Sequence, residues 1–381
     1  MIKENLKKYL PKGIIQKSSF LRQSFRRPII NNAIGELSPF LKENVFVQLV
    51  GNTFNQNFPN AMMVARMGYC NGFEKLGLPY IIIDINKAPG VLKSLPNPFC
   101  MVNSIDLIGT RTKLIDELSK YPIGVWVHPW FENSKDFFSQ HNLDYKIWDL
   151  DSGIKKKIFR LNPKFGFTAT VERGLTFFQE WEKHGLKIFS LPLACDTKAY
   201  AYNPSKIYKD FEQVELAFVG GYWPSKGVQI DKYLRSFEEK LTIYGYNQWP
   251  YKGYKGLLSL EKESSLYFQA KVCPVINEPT VALLKGQINE RVFKILGSGG
   301  CPIVDAVPSY LDLFSSDELL IAKNPVHYKK TIHQLLNDQT MNKHFRSQGH
   351  KATLAKHTYA HRAIKFLEFC GLEHKQYRTF L

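Results

Sequence analysis

The sequence predicts an α/β protein with two Rossmann-like, parallel-sheet domains that face a cleft, with a basic N-terminal extension and C-terminal helices. Three observations lead to this fold class. The chain has 381 residues, which fits two domains of about 150 residues each better than one small core. Short apolar strands alternate with helical segments, which is typical of parallel, doubly wound sheets. A polar, turn-rich stretch at 194–213 interrupts this alternation, which then starts again.

The first domain is predicted at 45–193, after the extension at 1–44. It opens with a buried strand from about Val45 to Val50 and continues into a helix that Gly77 ends. The remaining predicted elements are a strand at 80–84, an amphipathic segment at 106–120, a strand that ends at His128, a strand at 166–171, a helix at 172–185 and a strand at 187–193.

The second domain is predicted at 214–355, beyond the linker at 194–213. Its pattern begins with a strand that enters a Gly-Gly turn at 220–221, and a helix follows to about residue 240. Further strands are expected at 241–245, 271–276, 301–305 and 319–323, with helices at 257–270 and from 289 to the glycine pair at 299–300. Helices are expected at 356–381, with packing back on the first domain as one possible arrangement.

The charge of the chain predicts anionic partners. The sequence holds 51 basic and 34 acidic residues, for a net charge of +17. A nucleic acid, an acidic membrane surface and a phosphorylated small molecule all fit this excess. Basic residues concentrate in 1–30 and again at 155–164, so we expect docking on an anionic membrane, with a solvated tail as the alternative.

The six cysteines are scattered, without the close spacing of a zinc site, and are expected to be reduced and mostly buried. No apolar run approaches the ~20 residues that span a bilayer, and no apolar signal-peptide core is evident at the N-terminus. These features favour a cytoplasmic protein, one that can associate peripherally with the inner face of the membrane.

Two loops of the second domain carry residues suited to an anion. In open parallel sheets, ligands bind beyond the carboxyl ends of the strands. There Gly220 and Gly221 allow close backbone approach, Lys226 adds a charge, and Arg291 offers a bidentate partner for phosphate. Together they indicate a diphosphate ligand. A plain tight turn and a solvated arginine are the structural alternatives.

Other ligand motifs are missing from the sequence. It has no nucleotide-triphosphate P-loop, no dinucleotide-binding glycine motif and no hydrolase nucleophile elbow. Asp149 and Asp151 could hold a divalent metal, although Asp151 or Ser152 also fits the N-cap of the basic helix that follows. We expect the cap rather than a metal site at this position, and we expect no cofactor.

Several segments closely resemble one family. They are Phe218-Val219-Gly220-Gly221, Pro224-Ser225-Lys226-Gly227, Asn289-Glu290-Arg291-Val292-Phe293, Gly299 to Asp305, Ser309 to Phe314 and His357 to Arg362, together with the linker-like Leu191 to Asp196. They are similar to the C-terminal domain of the CgeB-like, group 1 (family 4-like) glycosyltransferases, which are two-domain enzymes of the GT-B type. The resemblance is specific over about residues 187–370.

The resemblance implies a metal-independent enzyme, of the hexosyl- or deoxyhexosyltransferase class, that uses a nucleoside-diphosphate sugar. The acceptor would be a glycan, a lipid-linked molecule or a protein. By position, Gly220, Gly221, Lys226 and Arg291 would hold the diphosphate. Those residues would stabilise the charge that develops on the leaving group.

Asn289 and Glu290 would contact the nucleotide or its sugar. One departure is Lys294, which stands where many relatives have a glutamate. Glu290 can take that role, because residues i and i+4 share a helix face. The family's usual pair of glutamates eight residues apart is missing, and Gly221 replaces a frequent arginine.

In the N-terminal domain, the resemblance implies that His128 faces the cleft, whereas a buried core histidine is the alternative. Asp84 ends a strand and is a second catalytic candidate, as a general base. The loop Gly51, Asn52 and Thr53 is expected at the cleft. Rival functions are a non-catalytic anion- or nucleic-acid-binding protein and a degenerate transferase that acts as a scaffold.

Overall fold

A computed structural model of the chain describes residues 44–51, 61–143, 150–372 and 374–380. The predictions for the basic N-terminal extension, Asn52, Thr53 and Asp149 lie outside these residues. Within the described part of the chain, no helix has the length and apolar character needed to cross a membrane.

The first domain is built on a six-stranded parallel sheet with the order β2-β1-β3-β4-β5-β6. Its strands are β1 (Val45–Val50), β2 (Tyr80–Asp84), β3 (Pro98–Asn103), β4 (Ile123–Trp126), β5 (Phe165–Thr168) and β6 (Ile188–Ser190). β1 is buried along its whole length, and all of its residues except Gln48 are apolar, as expected for a strand covered on both faces.

β3 was missed at the sequence level, although it lies at the centre of this sheet. It pairs with β1 on one side and with β4 on the other. The signal for it is a short apolar run, Phe99 to Val102, bounded by proline and asparagine. Its C-terminal residue, Asn103, therefore lies at the same edge of the sheet as the end of β4.

Helices cover both faces of this sheet. They are α1 (Ala61–Lys75), α2 (Ala88–Leu92), α3 (Thr112–Leu118), α4 (Ser134–Gln140), α5 (Ser152–Leu161) and α6 (Gln179–Lys183), with 3-10 turns at Ser104–Leu107 and Glu172–Phe178. The segment predicted as one helix at 172–185 is therefore mostly a 3-10 turn followed by a short α-helix. Gly77, which has a positive φ of 78°, lies just beyond α1 as predicted.

The second domain holds five parallel strands. They are β7 (Leu216–Val219), β8 (Leu241–Tyr244), β9 (Cys273–Val275), β10 (Pro302–Val304) and β11 (Leu320–Ile321). β7 pairs with β8, and β10 lies between β9 and β11. The Ala217 amide donates to the Val272 carbonyl at 3.0 Å, which joins the two groups into one sheet ordered β8-β7-β9-β10-β11.

The helices of this half are α7 (Pro224–Leu234), α8 (Leu260–Gln269), α9 (Pro279–Leu283), α10 (Arg291–Gly297), α11 (Pro325–Asn337), α12 (Gln339–Lys356) and α13 (Tyr359–Cys370). Additional 3-10 turns lie at Lys209–Phe211, Arg235–Lys240, Pro308–Asp312 and Lys375–Phe380. Apolar clusters fill both faces of the sheet, so the predicted α/β class with two Rossmann-like domains is confirmed.

The last helix, α13, crosses back to the first domain and packs on α1 and on the sheet beneath it. Phe366 lies among aromatic rings of that sheet, with ring centroids 5.0 Å from Phe165 and 6.0 Å from Phe46. Its Arg362 donates to the Pro192 carbonyl at 2.8 Å. This helix therefore ties the two domains together.

Candidate functional site

A cavity of about 630 Å³ lies between the carboxyl edges of the two sheets, and residues of both domains line it. Its size falls within the range of about 300–1,000 Å³ that is typical of small-molecule sites. The N-terminal wall comes from α1 and the ends of β3, β4 and β5, whereas the C-terminal wall comes from the loops after β7, β8 and β9 and from α8 and α10. Three hydrogen-bonding atoms at this cavity are buried without a partner among the described residues: Asn103 Nδ2, Glu290 Oε2 and Arg291 Nη1.

Arg291 begins α10 and is only 8% exposed. Its Nε donates to the Val219 carbonyl at 2.8 Å, and its guanidinium carbon lies 4.5 Å from the ring centre of Phe218. These contacts hold the guanidinium at the end of β7, while Nη1 keeps a free donor within the described part of the chain. The alternative of a solvated first-turn arginine is therefore wrong, because the side chain is buried and held from two sides.

Lys226 belongs to α7, and its side chain lies near that of Arg291. It is 2% exposed. Its ammonium pairs with Glu278 and lies 4.9 Å from the ring centre of Trp223. Burial, and next the charge of Arg291, lower the pKa of Lys226 to about 8, although Glu278 and Asp305 act in the opposite direction. Two cations that repel each other in a buried site are suited to bind an anion between them.

Gly220 and Gly221 follow β7 and leave the space that this arrangement needs. A Cβ atom on Gly220 would lie 2.6 Å from Arg291 Nη2, and one on Gly221 would lie 2.5 Å from Tyr246 Oη. Any larger residue at these positions would displace the guanidinium or the aromatic side chains. The glycines therefore serve more than a tight turn, since they let Arg291 and Tyr246 close around the end of the strand.

Asn289 and the loop before α10 are held by a chain of buried hydrogen bonds. The Asn289 amide donates to Tyr310 Oη at 2.7 Å, and Tyr310 donates to Asn277 Oδ1 at 3.0 Å. Asn277 in turn donates its backbone amide to Asp305 at 3.0 Å. Burial raises the pKa of Asp305 to about 6. This chain starts at the end of β10 and fixes the loop that presents Arg291.

The side chain of Asn289 is used within its own turn, because its Oδ1 accepts the Arg291 amide at 2.9 Å. That amide is one of the first-turn donors of α10. The structure therefore leaves the side chain of Arg291, rather than its amide, with a donor available to a ligand.

Glu290 and Lys294 form an ion pair at 2.8 Å on α10. Lys294 also lies 3.8 Å from Glu263, which accepts hydrogen bonds from Tyr200 and Tyr267 at 2.9 and 2.8 Å. Burial acts to lower the pKa of Lys294, but the two glutamates outweigh it and the pKa is raised. The ammonium is thus held as a cation between carboxylates, and Glu290 keeps Oε2 without a partner among the described residues.

His128 lies two residues beyond β4 and lines the cavity, as predicted for a cleft-facing histidine. Its Nδ1 lies 3.1 Å from Ser104 Oγ, and its carbonyl accepts from Trp181 Nε1 at 2.9 Å. Burial lowers the pKa of His128 to about 4, so the ring is neutral at physiological pH. A neutral imidazole can accept a proton or a hydrogen bond from a ligand hydroxyl.

Asn103 is a cavity residue that sequence reasoning missed, because the strand that carries it was missed. It is 2% exposed and ends β3 directly beside Trp126 of β4. Its Oδ1 accepts the Ile105 amide at 3.0 Å, which fixes the orientation of the side-chain amide. The Nδ2 donor is then left without a partner among the described residues.

Asp84 and Gly51 lie outside the set of residues that line the cavity. Asp84 ends the edge strand β2, and its Oδ1 accepts the backbone and side-chain nitrogens of Asn86 at 2.8 and 3.0 Å. Its carboxylate is therefore occupied by its own turn and is not brought together with His128. Gly51 packs against Asp106, with too little room there for a Cβ atom.

Asp151 is the N-cap of α5, since its Oδ1 accepts the Ile154 amide at 2.9 Å. The cap was the favoured interpretation, and it accounts for this carboxylate. Across the described ranges, no group of three or more His, Cys, Asp or Glu side chains is arranged to hold a metal ion.

The basic cluster of α5 makes contacts within the protein. Lys155 lies 4.4 Å from the ring centre of Trp130, Lys157 donates to the Leu107 carbonyl at 3.2 Å, and Arg160 pairs with Asp116 at 2.5 Å. Lys156 is exposed. The helix therefore offers fewer free cations to a membrane surface than its sequence suggests.

The domains also touch directly beside the cavity. The Val171 amide donates to the Gly286 carbonyl at 2.9 Å, and Arg173 forms an ion pair with Asp312. The first contact joins the loop after β5 to the segment that leads into α10, and the second joins the 3-10 turn Glu172–Phe178 to the 3-10 turn Pro308–Asp312. Together they fix the distance between the two walls of the cavity in this structure.

Two parallel-sheet domains with a cavity at their facing edges define the GT-B class. Residues 216–368 match the family model described as glycosyl transferase-like. This part of the chain is therefore similar to that family, and the predicted resemblance to group 1 GT-B glycosyltransferases is confirmed. A comparison with curated protein sequences found no significant match.

Solved structures extend the likeness to the whole fold. The T4 phage BGT in complex with its UDP-glucose substrate has a TM-score of 0.53 at 13% identity, covering 87% of this chain and 100% of that chain. Sucrose-phosphate synthase from Thermosynechococcus elongatus has a TM-score of 0.56 at 10% identity, covering 86% and 98%. At these identities the likeness establishes the fold.

Proposed function

We propose that the protein transfers a hexosyl or deoxyhexosyl group from a nucleoside-diphosphate sugar to the hydroxyl of an acceptor. The family of its C-terminal domain supports sugar transfer from nucleotide-sugar donors, and the GT-B fold agrees with it. Glycan, lipid-linked and protein acceptors are all compatible with this reaction.

The observation that carries the proposal is the set of unpartnered atoms on the C-terminal wall. Arg291 Nη1 is a buried donor and Glu290 Oε2 a buried acceptor, and neither has a partner among the described residues. A buried polar group without a hydrogen bond costs about 1–3 kcal/mol, more when it is charged. A nucleotide sugar supplies both partners, because its diphosphate accepts from Arg291 and a ribose or sugar hydroxyl donates to Glu290.

In the proposed reaction, Arg291 and Lys226 bind the diphosphate from one side of the cavity. The acceptor oxygen forms a bond to the anomeric carbon while the bond from that carbon to the diphosphate oxygen breaks. The electron pair of the broken bond stays on the diphosphate, where the two cations stabilise the new charge. Neutral His128 accepts the proton that the acceptor hydroxyl loses, in the tautomer whose Nδ1–H donates to Ser104.

We further propose that the reaction needs no metal ion. The positive charge that a metal would bring to the diphosphate is supplied by Lys226 and Arg291, both buried at the end of β7. The proposal predicts equal turnover with and without a chelator such as EDTA, and turnover that is restored only by added divalent ions would contradict it.

The test of the function starts from nucleotides alone. UDP, GDP and dTDP are added separately to the full chain, and the melting temperature is measured. A ligand at one hundred times its Kd stabilises the folded state by about 2.7 kcal/mol, so at least one of the three is expected to raise the melting temperature clearly.

The matched comparison uses R291A and R235A. Arg235 is an exposed arginine of the same domain that pairs with Asp231 and Glu238, away from the cavity. R291A is expected to lose the nucleotide effect and R235A to keep it. No shift with any of the nucleotides, or equal shifts in both variants, would overturn the proposed function.

A further inference from the structure

The two walls of the cavity differ in charge. The charged residues that line it, as far as the structure describes the chain, all belong to the C-terminal domain: Lys226, Glu263, Glu278, Glu290, Arg291 and Lys294. The N-terminal wall consists of apolar side chains such as Met62, Trp126 and Phe178, and of neutral polar ones. The buried ion pair of this domain, Arg66 with Asp106, does not line the cavity.

Asn103 and His128 both line the neutral wall. Ser104, the neighbour of Asn103 in the chain, lies 3.1 Å from His128 Nδ1. Asn103 Nδ2 cannot turn away from its position without losing the bond from the Ile105 amide to Oδ1, because a flipped amide would set two donors against each other. The wall therefore presents a fixed N–H donor next to an imidazole.

A hydroxyl group suits this pair better than an anion does. A hydroxyl accepts one hydrogen bond and donates another, so it can accept from Asn103 while it donates to a neutral His128. A phosphate or carboxylate could accept from Asn103 but has no proton for the imidazole. It would also be buried on a wall that offers it no cation among the described residues, which is costly.

We propose that Asn103 selects an acceptor whose reacting end is a neutral, hydroxyl-bearing sugar ring, seated between Asn103 and His128 beside Trp126. This inference rests on the proposed function and narrows its acceptor class. The indole of Trp126 is partly exposed at the cavity and offers an apolar surface of the kind that covers one face of a sugar ring. Phosphorylated sugars and uronic acids are excluded as the reacting end.

The experiment measures release of the nucleoside diphosphate from the donor that the nucleotide test selects. Methyl and p-nitrophenyl glycosides of glucose, galactose, mannose and N-acetylglucosamine are the neutral acceptors. Glucose 6-phosphate and methyl glucuronide are the charged ones. Neutral glycosides are expected to raise the rate above the slow background of donor alone, and the charged compounds are expected to leave it at background.

Two variants test Asn103 itself. N103S keeps an oxygen that can accept the Ile105 amide but removes Nδ2, and N103D replaces Nδ2 by an oxygen. Both are expected to reduce the glycoside-stimulated rate by about tenfold or more, as for a lost hydrogen bond to a buried donor. Nucleotide binding, measured by the thermal shift, is expected to remain as in the unmodified protein.

The matched control is N203S. Asn203 also accepts the amide of the residue two positions on, Ser205, at 3.0 Å, but it lies in an exposed loop outside this cavity. N203S repeats the same chemical change in the same kind of turn and is expected to keep the full rate. A loss of rate in N103S through misfolding would appear as a lower melting temperature and a lost nucleotide shift.

The outcomes separate the two proposals. If no nucleotide stabilises the protein, the proposed function fails. If a nucleotide binds but neutral glycosides do not raise the rate, the inference about the acceptor fails alone. It also fails if charged sugars work as well as neutral ones, or if N103S and N103D keep the full glycoside-stimulated rate.

Discussion

The two walls of the cavity show opposite ways to build a ligand site. The C-terminal wall is charged, and its buried cations and carboxylates balance one another in close pairs. The N-terminal wall is neutral and relies on an amide and an imidazole, Asn103 and His128. Charged side chains can bind and stabilise a diphosphate. Neutral polar side chains can instead exchange hydrogen bonds with the hydroxyl of an uncharged ligand.

The same comparison explains why Lys294 is tolerated in place of an acidic residue. The C-terminal wall already contains Glu263 and Glu290 within 4 Å of its ammonium. A third carboxylate here would leave buried negative charge without a partner. Lys294 neutralises the pair and leaves one oxygen of Glu290 available to a ligand.

The largest expected effect is a loss of stability in K294Q, which removes the positive charge that neutralises Glu263 and Glu290. Glu263 and Glu290 would then be buried without their cation, and breaking a buried ion pair in this way typically costs about 3–5 kcal/mol. Denaturant unfolding of the ligand-free protein measures the loss. K294R keeps the charge and is expected to lose much less. Equal stability of K294Q and the unmodified protein would contradict the role given to this lysine.

The next effect concerns Arg291 and the diphosphate. R291A is expected to lower kcat/KM for the nucleotide sugar by about 100- to 1,000-fold, the scale for losing one fixed donor to a developing anion. R291K keeps a charge but loses the bidentate geometry and is expected to fall between. Steady-state kinetics at varied donor concentration measures both. A change in the KM for the acceptor alone would contradict this role and would assign Arg291 to acceptor binding.

A smaller effect is expected from E290Q, which keeps the size of the side chain and removes its charge. Hydrogen bonds to charged groups contribute about 1.5–3 kcal/mol, so donor kcat/KM should fall by roughly ten- to hundredfold. E261Q is the control, because Glu261 is exposed on the neighbouring helix α8 and lies outside this cavity. An unchanged kcat/KM in E290Q would remove Glu290 from the donor site.

The smallest effect is a dependence on pH. The pKa of Lys226 is lowered to about 8, so the free protein loses this cation as the pH rises through that value, and affinity for a nucleoside diphosphate should then fall. The fall is limited to about tenfold per pH unit for one proton. Binding measured between pH 7 and 9.5 checks it.

The variant K226M should bind more weakly and should show no such dependence. The other charged groups that face Lys226 are Arg291, Glu278 and Asp305, and all three are kept in this variant. The same slope in K226M would therefore assign the dependence to another group.

The sequence predicted the charged wall better than the neutral one, and local structure explains the difference. Gly220, Lys226 and Arg291 belong to short segments at strand ends, where a strand, a turn and a helix start can be recognised from neighbouring residues. Asn103 was missed because β3 is a short apolar run without a recognisable helix or turn pattern beside it. A central strand depends on its neighbours in the sheet for its hydrogen bonds, and those neighbours are distant in sequence.

The catalytic candidates show the same limit. The sequence analysis places both His128 and Asp84 at the ends of strands and therefore does not distinguish them. Only the strand order places β4 at the centre of the sheet and β2 at its edge, which brings His128 to the cavity and leaves Asp84 in its own turn. Glu263, which pairs with Lys294 from another helix, could not be predicted either, because the two residues are distant in the sequence.

The sequence by itself determined the two α/β domains, the resemblance of the second one to a glycosyltransferase family and the cationic residues at its strand ends. These features follow from periodicity and from residues adjacent in the chain. The tertiary structure decided which polar atoms are buried without partners, which charges neutralise each other, and that the two walls differ. Burial and pairing depend on contacts between distant segments, and they set the free energy of each polar group.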